Sequence, residues 1–232
     1  MHYAICAGIS LAFGNCAVLY RDKRYADDRK LNWKRAVTGH KKFFISFLTV
    51  FFLVAIAGCA LDSHAPIPNR LLLYKSLLLF YGTALIAYTD YREHLIPNKL
   101  VLVLLAIRLG FFVYESIAIY HELRMVADCL RVVFVGPLLG ALISAGILAI
   151  AMLVSRKGVG MGDVKLFAVI GLFVGSAQII PFMLLTFAFS ALAGIVLLIA
   201  RKVRMKDSLP MAPFAAVGIL LHFFWIEGGY LL

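Results

Sequence analysis

The chain has 232 residues, of which 63% are hydrophobic and only 15% charged, with a mean hydropathy of +0.94. Soluble domains run near about 45–50% apolar and roughly 25% charged, so this composition excludes a water-soluble domain, a disordered chain, a collagen-like repeat and a small disulfide framework. It leaves a polytopic membrane protein whose apolar exterior is covered by lipid.

A membrane-crossing helix needs about 20 mostly apolar residues. In chain order, candidates fall at 2 to 20, 43 to 61, 71 to 89, 100 to 120 and 132 to 154, then in a long apolar run from 166 to 200 and a last segment from 211 to 226. The stretch 2 to 20 has no basic region before it and reads as a span rather than a cleaved signal. The run 166 to 200 is too long for one span. Gly175, Ser176, Ala177 and Gln178 interrupt it, with Pro181 just beyond, which predicts a hairpin of two short helices. The expected fold is therefore all-α, a membrane helix bundle of about eight spans, with an N-terminal two-helix region over 1 to 70 and a membrane core over 71 to 232.

The net charge of +11, from 23 basic and 12 acidic residues, would suggest nucleic acid in a soluble protein. Its distribution decides otherwise. Lys and Arg in short loops mark the cytoplasmic side, and the loops 21 to 42, 90 to 99, 155 to 165 and 201 to 210 hold 18 of the 23 basic residues. Eight spans place these loops on one side, so they are expected in the cytoplasm and both termini outside. The positive excess becomes an orientation signal that also suits anionic lipid headgroups, with no nucleic-acid partner. The four cysteines, Cys6, Cys16, Cys59 and Cys129, show no metal-ligand or redox spacing; three lie in spans and read as small hydrophobes.

Ten of the twelve acids can be placed one by one. Asp22, Asp27, Asp28, Asp62, Glu122, Asp128 and Glu227 fall in loops or outer segments and read as solvated. Glu115 lies in the fourth span two turns from Arg108, on nearly the same face; such residues are functional candidates, unless they snorkel or pair with a neighbouring helix. Asp90 closes the third span in Thr89-Asp90-Tyr91-Arg92-Glu93-His94-Leu95-Ile96-Pro97-Asn98, and Asp163 stands in Gly158-Val159-Gly160-Met161-Gly162-Asp163-Val164-Lys165-Leu166. Both are expected at the cytoplasmic membrane boundary, where carboxylates from separate helices can meet.

A carboxylic dyad suits amide hydrolysis. One ionised acid takes a proton from water while its protonated partner donates to the scissile carbonyl oxygen, and like charges held close retain one proton between them. No metal or cofactor is needed. Glycines 158, 160 and 162 allow positive φ and close backbone approach; the plain structural alternative is a Gly-rich turn with Asp163 as a helix N-cap. Helix direction favours charge on Asp163 and disfavours it on Asp90, which predicts Asp163 as the readier base and Asp90 as the proton holder. Asp62, also followed by Ile-Pro-Asn, is a decoy that the topology places outside.

At these residues the chain resembles the prepilin peptidase family, membrane aspartic proteases with a Gly-x-Gly-Asp motif. Gly160 to Leu166 matches that element, Asp90-Tyr91-Arg92 with Ile96-Pro97-Asn98 matches the first, and Leu209-Pro210-Met211-Ala212-Pro213-Phe214 is similar to the family's Pro-Phe-Gly-Pro-Phe segment, departing at Met211 and Ala212. The resemblance implies an inner-membrane endopeptidase that removes the basic leader of type IV pilin or pseudopilin precursors at the cytoplasmic face, with Asp90 and Asp163 catalytic. It implies supporting roles in substrate binding or loop structure for Gly160, Gly162, Lys165, Arg92, Pro97, Asn98, Pro210 and Pro213. The precursor's apolar helix would pack on the spans while its Gly-containing junction threads the dyad. Many members also N-methylate the product with S-adenosylmethionine, using a large cysteine-bearing cytoplasmic domain; here the corresponding loop, 21 to 42, is short and has no cysteine. That cofactor is implied only if methyl transfer is retained. A presenilin-type protease is the alternative enzyme, but Thr89 rather than Tyr precedes Asp90 and a Pro-Ala-Leu element is absent. A transporter or scaffold would explain spans and charge without the two acids.

Overall fold

The computed structural model describes residues 67–123, 131–155, 159–201 and 209–229, and every regular element among them is helical. The expected spans at 2 to 20 and 43 to 61, the basic loop 21 to 42, Asp62 and the four cysteines lie outside the described residues. In chain order the helices are α1 (Ile67–Glu93), α2 (Asn98–Leu123), α3 (Gly136–Ser155) preceded by a π-helical turn (Arg131–Val135), α4 (Met161–Val174), α5 (Ser176–Ile199) and α6 (Ala212–Gly229). The described residues fall into two compact units, 67–81 with 227–229, and Gly82–Ile226. In the first, Leu77, Leu79, Phe80 and Tyr81 are buried.

Among the described residues, Asn98–Ile117, Arg131–Val154 and Ser176–Ile199 are long and apolar enough to cross a membrane. Their outward side chains, such as Leu102, Leu142, Leu153, Leu184 and Ile199, stay exposed, as expected of a surface that meets lipid. Lipid is as apolar as leucine, so burial alone gives such helices no reason to associate; close packing must supply it. Small residues do this between α3 and α4. A Cβ on Gly140 would stand 2.5 Å from the Gly171 carbonyl oxygen, and one on Gly171 would stand 2.5 Å from the Gly140 oxygen. One turn along, the buried Ser144 hydroxyl lies 2.9 Å from both the Phe167 oxygen of α4 and the Gly140 oxygen of its own helix, and its single proton serves one at a time.

The long apolar run breaks where expected but more sharply. Gly175 alone leaves the helix, with φ 81 and ψ 170, backbone angles open to glycine. Its N–H donates to the Gly171 oxygen at 2.9 Å and its own oxygen accepts from Ile179 N–H at 3.1 Å, so one residue closes α4 and opens α5. Ser176, Ala177 and Gln178 therefore belong to α5, Pro181 lies inside it, and α5 is a full 24 residues rather than a short helix. The chain does double back: the Phe167 ring stacks on Phe187 with centroids 5.8 Å apart, a separation that a continuous helix would stretch to about 30 Å over 20 residues.

Arg108 and Glu115 pair with each other inside α2. Arg108 Nη1 donates to Glu115 Oε2 at 2.8 Å, and Arg108 Nε donates to the Leu172 oxygen at 2.7 Å. Leu172 is in the last turn of α4, whose carbonyls lack intrahelical donors. The Phe112 ring lies 4.1 Å from the guanidinium carbon. The buried arginine thus ties α2 to the end of α4, a structural role for a pair that spacing alone left open.

Candidate active site

α1 ends at the first motif because His94 takes φ 50 and its N–H donates to the Asp90 oxygen at 2.8 Å. That left-handed residue turns the chain into Leu95-Ile96-Pro97, after which Pro97 accepts from Val101 N–H at 3.3 Å and α2 begins at Asn98. Asp90 stands in the last turn of α1 and is 5% exposed. Thr89 is buried too, but its hydroxyl donates back to the Ile86 oxygen at 2.8 Å and so is spent within the helix. Arg92 lies in the same last turn.

The second motif opens α4. Gly160 is its N-cap, at φ −85 and ψ 152, and Gly162 is already helical, so neither uses the positive φ that the Gly-rich pattern allows. Their value is space. A Cβ on Gly162 would stand 3.0 Å from Ile96 Cβ, and one on Gly160 would stand 3.3 Å from Asp163 Oδ2. Asp163 is the third helical residue rather than the N-cap, and its Oδ2 accepts from Gly160 N–H at 3.0 Å. This satisfies one of the free amides at the helix start.

The two motifs meet along these contacts. Ile96 packs on Gly162, and Lys165 Nζ donates to Asn98 Oδ1 at 3.2 Å on the exposed side. The third motif closes over the first: Ala212, the first residue of α6 and fully buried, donates its N–H to Asp90 Oδ2 at 3.0 Å. Pro210 precedes this helix start, and Pro213 occupies its second position, where a missing N–H costs no intrahelical bond. The sequence pattern gave supporting roles to Pro210 and Pro213 and marked Ala212 only as a departure, because the contact is made by the main chain. His94, four residues after Asp90 at the helix end, was likewise within the motif but without a role.

Both acids lie outside the apolar segments 71 to 89 and 166 to 200, and burial pushes both carboxyls above their ordinary range. For Asp90 the amides of Ala212 and Met211 and the nearby His94 pull back down. For Asp163 the Gly160 amide pulls down, while the charge of Asp90 pushes further up. The charge of one carboxylate thus bears on the other, and such a pair favours the singly protonated state.

Residues 77–199 match the model of the type IV leader peptidase family. The chain is 25% identical over 153 residues to a prepilin leader peptidase/N-methyltransferase of Bacillus subtilis (strain 168), an alignment covering 66% of this chain and 56% of that one. It is 31% identical over 151 residues to the protein of the same name from Stutzerimonas stutzeri, covering 64% and 48%. The chain thus spans about half the length of these curated relatives. No solved structure matches it.

Proposed function

The chain belongs to the type IV leader peptidase family, and from that premise we propose that it is a membrane aspartic endopeptidase that removes the leader of type IV prepilin-like precursors. One observation carries the reading: the motifs that bear Asp90 and Asp163, on separate helices, interlock through Ile96 with Gly162 and Asn98 with Lys165, and the charge of Asp90 bears on the Asp163 carboxyl. A water placed between the carboxyls would lose a proton to the ionised one as the other protonates the scissile carbonyl.

The supporting residues divide by what they touch. Gly160 holds Asp163 through its amide, Gly162 lets Ile96 approach, and Asn98 and Lys165 join the two motif segments on the exposed side. Pro97 and Pro210 fix the chain entering α2 and α6, with Pro213 at the start of the latter. The basic loops support a cytoplasmic dyad, facing the side where a precursor's leader is made. The printed names of the relatives include methyl transfer, but the segment 21 to 42 that the resemblance connects with it lies outside the described residues. The proposed function is therefore the peptidase, which needs no cofactor.

Co-expression with a pilin-like precursor tests this. Leader removal, seen as a smaller product by mass spectrometry, is expected with the wild-type chain and not with Asp90→Asn or Asp163→Asn. Undiminished processing by both variants rejects the reading.

A further inference from the structure

We propose that the first turn of α6 positions the dyad: the Ala212 main-chain amide holds Asp90 as the ionised carboxylate, making Asp90 the base that activates water and leaving the shared proton on Asp163. The inference rests on the peptidase reading and goes beyond it by assigning the two roles.

Helix direction within α1 and α4 points the other way, because Asp90 ends one helix and Asp163 begins the other. α6 changes the balance. Its first amide, one of the N-terminal donors without an intrahelical partner, reaches Asp90 Oδ2 at 3.0 Å in a fully buried contact. Asp90 therefore sits at the negative end of α1 and the positive end of α6, and the two dipoles offset. Burial by itself favours the neutral acid at both carboxyls, and the charge-assisted bond from Ala212 offsets it at Asp90. The Met211 amide faces the same carboxyl. Asp163 has one amide, from Gly160, in a solvent-exposed contact.

The charged groups around the pair agree. His94 faces Asp90 from the end of α1, Asp90 faces Asp163, and Lys165 of α4 is turned to Asn98 of α2. In hydrolysis Asp90 takes a proton from water as the water oxygen bonds to the scissile carbon, and Asp163 gives its proton to the carbonyl oxygen. The gem-diol then collapses: Asp163 recovers a hydroxyl proton, the C–N bond breaks, and Asp90 gives its proton to the leaving amine. Because the contact is main-chain, the departures at Met211 and Ala212 from the family pattern leave it intact.

The pH profile of kcat/KM for leader cleavage by the full chain tests the assignment. Ala212→Pro deletes the amide at a helix position that accommodates proline; Met211→Pro deletes the second, should the first variant fail to accumulate. The acid limb should move up by about one pH unit with the alkaline limb fixed, and Ala212→Gly, which keeps the amide, should retain the wild-type limb. A shift of the alkaline limb would place the proton on Asp90 and overturn the proposal, as would a lower rate with neither limb moved. Absence of cleavage by the wild-type chain at every pH would overturn the peptidase reading itself, and this assignment with it.

Discussion

The closest approach between α3 and α4 offers a sharp test of how the site is held. In Gly140→Ala the new Cβ would stand 2.5 Å from the Gly171 oxygen and 2.7 Å from the Gly175 carbonyl carbon, both main-chain atoms that no rotamer can move aside. Ordinary carbon contact begins near about 3.5 Å, so the helices must part by about 1 Å. Such a shift would also take the Ser144 hydroxyl from 2.9 Å to beyond bonding reach of the Phe167 oxygen. Overpacking of this kind costs about 1–3 kcal/mol, and an interhelical hydrogen bond in a membrane protein adds about 0.6 kcal/mol. Since α4 carries Asp163, cleavage should fall along with stability. Thermal unfolding in detergent and leader-cleavage rate measure both effects. Gly146→Ala, on the same helix but with open space beyond its Cα, should change stability by no more than about 0.5 kcal/mol. If Gly140→Ala proves as stable and active as Gly146→Ala, the close packing described for α3 and α4 is wrong.

Removing one member of the buried ion pair, as in Glu115→Ala, should destabilise the chain by about 3–5 kcal/mol because Arg108 is left buried without its counter-charge; Arg108→Met with Glu115→Leu should recover much of this in detergent unfolding. Burial raises the Asp163 carboxyl above 3.8, so its ionisation costs the fold: the penalty is absent below the unfolded value, grows as pH rises towards the folded one, and is constant beyond it. Asp163→Asn keeps an oxygen for the Gly160 amide and should unfold at a higher temperature than wild type at neutral pH, with the difference vanishing near about pH 4; equal midpoints at neutral pH would contradict the buried-acid account. The exposed Asn98–Lys165 bond should matter modestly. Asn98→Ala and Lys165→Ala should each lower cleavage by about two- to fivefold, and their combination by no more than either alone.

The sequence announced the break at Gly175 because glycine after an apolar run marks a chain that leaves the helix, but composition could not show that one residue would suffice and that Pro181 would stay helical. Asp90 and Asp163 stood out as candidates because a chain so poor in carboxylates exposes each one it keeps. Their partners were not equally visible. Lys165 and Asn98 were named as part of motifs, whereas the bond between them depends on how α2 meets α4. Ala212 left no side-chain signature, since an amide is common to every residue but proline. Gly140 with Ser144 in α3, and Gly171 with the cap Gly175 at the end of α4, did carry a signal, small residues four apart, and that spacing could have predicted the α3–α4 seam.

If Asp90 and Asp163 act as one catalytic unit, a double-mutant cycle on leader-cleavage rate will show it. Asp90→Asn and Asp163→Asn should each lower kcat by about 10³-fold or more, and the double variant should be no slower than the worse single one, because removing either member of a unit already removes its function. Either single variant cleaving near the wild-type rate, or a double variant whose loss is the product of the two single losses, would contradict the account.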